Sequence, residues 1–194
     1  MLRRGFKSQC ERRSVEIRKG FELKPDEPLS AFDLAKSLSV IVWSEKNIQG
    51  LSELDVRQLT QKDPESWSAF TIRVEDRHLI VYNSTQSSAR QNSVVMHELA
   101  HITLGHELTS ASVTEDGHFV PTTYDQDQEH EADWLAGALL LPRPALLKIK
   151  FNNMIDDVAM DYFKVSNQML TWRFRMTGVD YQIGATRNRI GRSA

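Results

Sequence analysis

Apolar residues recur at helical intervals along most of the chain and alternate in one stretch. The sharpest stripe, Val94, Val95, Leu99 and Ile102, predicts a helix over about Ser88–Leu104, and Ser88 and Gln91 stand at capping-box spacing at its start. A second stripe, Ala132, Leu135, Ala136, Leu139 and Leu140, predicts a helix over Glu129–Leu141. Weaker helical patterns run from Ser8 to Leu23, ending before Pro25, and from Ser30 to Leu38, where Ser30 and Asp33 form an acidic variant of the capping box. Val40–Trp43 reads as a short apolar strand. Phe70, Ile72 and Val74 alternate with polar neighbours, and after Glu75, Asp76 and Arg77 the run His78–Tyr82 continues the pattern, the mark of a hairpin. Further on, Met154–Phe163 and Asn167–Met176, separated by Lys164–Ser166, have the spacing of a helical pair.

Together these elements predict an α+β fold: a mostly helical single domain with a small antiparallel sheet beside the 88–104 helix and a C-terminal helical pair. The expected segments are a helical extension over 1–28, a core over 29–150, a helix-turn-helix-like hairpin over 151–180 packed on that core, and a basic tail over 181–194. A chain of 194 residues with 40% apolar content has enough material for one sizeable core. No run approaches the roughly 18 apolar residues of a membrane span, and no apolar stretch follows the basic start. Glu11 and Glu16 argue against a transit peptide, so a cytoplasmic protein without a membrane partner is expected. Cys10 is the single cysteine, which rules out an intrachain disulfide and a cysteine-based metal cluster.

Chemistry enters at His97, Glu98, Leu99, Ala100 and His101, which spell HExxH. On a helix, side chains four apart share one face, so both imidazoles can address one metal ion while Glu98 stands beside it as a base for bound water. Catalytic zinc takes three protein ligands and keeps one position open. The metzincin string would need glycine at 104 and histidine at 107; Leu104 and Glu107 exclude it. Within the second helix, Glu129 lies about 60 to 70 degrees from the apolar direction and Glu131 about 90 to 100 degrees away on the other side. Glu129 is therefore the expected third ligand, with Glu131 as fallback. One turn on, Asp133 is placed to accept the other N–H of a ligating histidine.

HELAH at 97–101 followed by EHEADWLAGALLLP at 129–142 resembles the ImmA/IrrE family of metallo-endopeptidases. The likeness extends more loosely from Leu29 to Gly178. It implies a compact, gluzincin-like zinc peptidase that acts on helix-turn-helix repressors, with Zn2+ held by His97, His101 and Glu129 and with Glu98 as the catalytic acid. It also implies that an exposed strand beside the metal helix pairs with the substrate backbone. Tyr124, His106 and His118 are candidates for stabilising an oxyanion, none of them singled out by sequence.

Charge is unevenly spread: residues 1–24 carry eight Lys/Arg against three acids, 173–194 carry five against one, and the middle carries 22 acids against eleven bases. Glu115, Asp116, Asp125 and Asp127, between the two metal helices, suit a basic protein substrate such as a DNA-binding repressor. The stretch from His106 to Gln128 is long enough for a lid. Two other readings stand beside the peptidase. In one, Asn167, Gln168, Thr171, Arg173 and Arg175 of the helical pair contact DNA directly; the large apolar surface of Val158, Tyr162, Phe163, Val165, Met169, Trp172 and Phe174 favours packing on the core instead. In the other, the chain is a zinc-binding sensor with little proteolytic activity.

Overall fold

The structure, a computed structural model, describes residues 2–50, 54, 57–62, 66–74, 76–107, 111–113, 119–121 and 125–190. Helix α1 (Phe6–Gly20) follows Gly5 in the left-handed region, and Glu22, also left-handed, follows it, so the helix sits slightly upstream of its predicted place. Helix α2 (Ala31–Ser37) is capped as the sequence suggests, with the Ser30 side chain accepting from the Asp33 N–H.

Strands β1 (Ile41–Ser44), β2 (Ala69–Val74) and β3 (Arg77–Tyr82) form one sheet in the order β1-β3-β2. The tight connection between β2 and β3 makes that pair antiparallel, as expected, but β1 joins the other edge of β3 in parallel. The sheet is therefore mixed. Phe70 and Ile72 lie on its outer side, 45% and 42% exposed, while Thr71 faces the helical layer, where its hydroxyl meets Glu98 of the next helix.

That helix, α3 (Ser88–Leu104), matches its predicted span. Its cap is one residue earlier than expected: the Ser87 side chain accepts from the Arg90 N–H, while Gln91 donates to the carbonyls of Ser84 and Gln86. Asn92, buried on α3, accepts from the Ala31 N–H at 2.9 Å and donates to the Lys164 carbonyl at 3.2 Å, tying the helix to α2 and to the C-terminal pair. Helix α4 (Gln126–Leu140) packs along α3, and Leu99 and Ala100 on one and Ala132, Leu135 and Leu139 on the other are fully buried. Its cap is Asp125, whose carboxylate accepts from the N–H groups of Asp127 and Gln128. Between α3 and α4, inside the stretch read as a lid-length loop, β4 (Ala111–Val113) and β5 (Phe119–Pro121) pair antiparallel.

Four more helices follow among the described residues: α5 (Arg143–Phe151), α6 (Asp156–Phe163), α7 (Asn167–Thr177) and α8 (Val179–Ile190). Phe163, Val165 and Phe174 are buried in the common core, whereas Val158 and Tyr162 stay exposed. Where α7 crosses α4, Gly137 makes room for Trp172, whose ring would stand 2.4 Å from a Cβ at that position. Helix α8 occupies most of the region expected to be a basic tail. Among the described residues no helix is long and apolar enough to cross a membrane.

The last turn of α4 lies in the core, where its end carbonyls have no helical partners and cannot reach water. Side chains from both termini serve them. Ser14 donates to the Ala138 carbonyl at 2.6 Å, Arg18 Nη2 to Leu139 at 2.6 Å and Arg173 Nε to Leu141 at 2.9 Å. Arg173 also pairs with Glu11, which in turn accepts from the Arg143 N–H that opens α5. Both guanidinium groups are fully buried, and desolvation pulls the Arg18 pKa down to about 10. Arg173 is thus removed from the DNA-contact set: it caps a helix inside the protein. The first 28 residues supply three of these groups and pack α1 on α4.

Candidate metal centre

Helical phase brings His97 and His101 to one face of α3, with their Nε2 atoms 3.1 Å apart. Glu129, in the first turn of α4, places Oε2 3.2 Å from His97 Nε2 and Oε1 3.5 Å from His101 Nε2. Donors held about 2.1 Å from a tetrahedral zinc ion stand about 3.4 Å from one another, a spacing close to these separations, so the three side chains fit such an ion. Two nitrogens and a carboxylate form a donor set that suits zinc. No other group of three His, Cys, Asp or Glu side chains converges this way among the described residues.

Asp133, one turn beyond Glu129, puts Oδ1 3.1 Å from His97 Nδ1, the nitrogen turned away from the cluster. Burial disfavours a charge on His97, yet the carboxylates of Asp133 and Glu129 outweigh it and hold its pKa up at about 10. His101 goes the other way, to about 4, because burial and the neighbouring His97 cation both oppose its protonation. Glu129 is held below its ordinary value by its contact with His97. Without a metal, one ring is charged and the other neutral.

Glu98 leaves the same turn of α3 beside this cluster. Burial raises its pKa, and the Thr71 hydroxyl, which donates to Oε2 at 2.5 Å, partly opposes the rise. Thr71 carries no motif, and its only trace in the sequence is a polar position between Phe70 and Ile72 in a strand pattern. A cavity of about 340 Å3 opens next to His97 and Glu98, with Ser68, Ala69, Arg90, Val94, Ala136 and Met169 among its walls. β2, at the edge of the described sheet, runs alongside it.

The five residues chosen from the sequence, His97, Glu98, His101, Glu129 and Asp133, therefore meet in space. Glu131 does not join the cluster; its carboxylate lies 3.3 Å from His106 Nε2. His106 itself sits at Nδ1 of His101, on the opposite ring nitrogen from the cluster. Tyr124 and His118, the other oxyanion candidates, lie outside the described residues, as do Glu115 and Asp116. Asp125 is used as the cap of α4 and Asp127 sits exposed in its first turn.

Residues 53–175, well over half of the chain, match the profile of Peptidase_M78, the IrrE N-terminal-like domain. The chain belongs to the Peptidase_M78 family. This is a peptidase family of metallopeptidase type, the same relationship that the HELAH and EHEADWLAGALLLP strings pointed to. The matched region of Peptidase_M78 contains both metal helices and all five clustered residues, and leaves out α1 and α2. A comparison with curated proteins finds no match.

Proposed function

We propose that the protein is a zinc-dependent endopeptidase that cleaves one peptide bond in a basic partner, a helix-turn-helix repressor, in the cytoplasm. The observation that carries this reading is the convergence of His97, His101 and Glu129 with Glu98 beside them. A zinc ion held there supplies Lewis acidity, polarising a carbonyl oxygen and lowering the pKa of a bound water to about 7. Glu98 takes the proton of the attacking water and returns it to the leaving amide nitrogen. Because Thr71 occupies Oε2 of Glu98, Oε1 is the atom left to receive that proton. Burial, by raising the Glu98 pKa, makes the protonated form accessible and so suits the second transfer.

An extended substrate segment pairing along β2 would lay its backbone past Glu98, with one side chain in the adjoining cavity. The acid-rich middle of the sequence supports a basic partner through long-range attraction. Direct reading of DNA by α7 is disfavoured, since Arg173, one of the side chains it would need, is a buried helix cap. The test is metal analysis of the purified chain, followed by incubation with a panel of helix-turn-helix repressors from the same genome and mass spectrometry of the products. Stoichiometric zinc and one specific cut support the reading. A chain that takes up no zinc, or zinc-loaded protein that leaves the whole panel intact, would overturn the endopeptidase assignment.

A further inference from the structure

Glu131 and His106, candidates for ligand and oxyanion donor in the sequence, meet on the outer side of His101. The cause is local. Gly105, with φ 69°, ends α3 in the left-handed region, and the His106 N–H bonds back to the His101 carbonyl at 3.1 Å. The chain reverses there, and the His106 ring packs edge-on against that of His101 with centroids 5.0 Å apart. Its Nδ1 stands 3.1 Å from His101 Nδ1, and its Nε2 stands 3.3 Å from Glu131 Oε2. Glu131 Oε1 is in turn 3.6 Å from Arg3 Nε. The His106 side chain is only 7% exposed, so water does not substitute for these partners.

Proton positions along this line are not independent. A neutral imidazole carries one N–H, so His101 can offer the Nε2 lone pair to an ion only with its proton on Nδ1. That N–H needs an acceptor, and His106 Nδ1 is the atom in reach. His106 must then carry its own proton on Nε2, and Glu131 is the acceptor there. Each link determines the next, and the line ends on a carboxylate that cannot donate.

We infer that His106 and Glu131 are positioning residues that lock His101 in the tautomer and ring orientation that a metal ion requires. They do for His101 what Asp133 is placed to do for His97. The inference rests on the metal reading proposed above, and its test is chosen to separate the two. Zinc affinity is measured on the full chain by competition with a chromophoric chelator, and the thermal midpoint of the metal-free protein is recorded alongside.

His106→Leu keeps bulk but breaks the line, and zinc should bind about 10–100-fold more weakly. His106→Asn, whose Oδ1 can accept from His101 while its amide donates onward, should retain most of the affinity. Glu131→Leu, less buried and less disruptive, gives the same readout if His106→Leu does not fold. The double replacement should be no weaker than the worse single one, since both break one line. Wild-type zinc affinity in His106→Leu or in Glu131→Leu would overturn the inference and leave the metal centre standing; a wild-type chain that binds no zinc would overturn both.

Discussion

At its first turn α4 presents Glu129 to two imidazoles beside an open cavity, and at its last turn the same helix runs into Arg18 and Arg173, sealed in the core. Both ends gather charged groups, yet the groups are balanced differently. At the buried end, donors meet carbonyls that water cannot reach, and the result is a satisfied helix terminus. At the open end, two histidine nitrogens and a carboxylate point at one another across 3.1–3.5 Å. Two of the atoms that converge, the Nε2 of neutral His101 and a Glu129 oxygen, are acceptors. Carbonyls met by donors read as architecture. Acceptors that converge from two helices form a donor set suited to a cation.

The contrast is broken most forcefully at Glu98. Glu98→Gln should keep stoichiometric zinc and lose cleavage by about 10²–10⁴-fold or more, measured by product mass spectrometry beside metal analysis; undiminished cleavage would remove Glu98 from the base role. Next comes the buried end. Arg18→Met strips donors from the Leu139 and Glu27 carbonyls and should destabilise the protein by about 2–4 kcal/mol in urea unfolding while each folded chain still binds zinc. If Arg18→Met instead lost zinc with unchanged stability, the two ends would not be separable in function.

Asp133→Asn is the converse change. It should weaken zinc binding by about 10–100-fold while unfolding of the metal-free protein shifts less than in Arg18→Met. The smallest effect concerns protons. His97, with its pKa raised to about 10, is protonated at neutral pH in the metal-free protein, whereas His101, lowered to about 4, is not. A zinc ion must therefore displace one proton, and affinity should rise with pH until it passes about 10. Calorimetry in two buffers of different ionisation enthalpy should report release of one proton near pH 7, and less in Asp133→Asn; no proton release would contradict a charged His97.

The open end was legible in the sequence because its chemistry is local. HExxH brings two imidazoles to one face through helical phase alone, and the apolar stripe of α4 was enough to set Glu129 rather than Glu131 beside them and to align Asp133. The buried end was not. Arg18 lies 121 residues from the carbonyl it serves, and an arginine in an amphipathic pattern reads as surface until that carbonyl is located. The same reason hid Thr71, whose partner is in another element, and the parallel pairing of β1, which no turn specifies. Helix α5 has no counterpart in the sequence reading; in the fold Pro142 is its cap and Pro144 lies in its first turn, where a missing N–H does no harm. His106 is one of three open candidates in the sequence, and its place behind His101 is not legible there because it depends on the reversal at Gly105.

One consequence concerns where the protein can be cut. The region shared with Peptidase_M78 begins at residue 53, yet Ser14 and Arg18 come from α1. A fragment trimmed to 53–175 would keep every clustered side chain and forfeit the donors that close the far end of the helix carrying Glu129. With α2, β1 and α8 gone as well, and with them the buried Leu34, Val40 and Val179, such a fragment should express as an aggregating or partly melted chain, and a separately added peptide spanning residues 1–28 should not by itself restore it, much as one stone does not rebuild an arch.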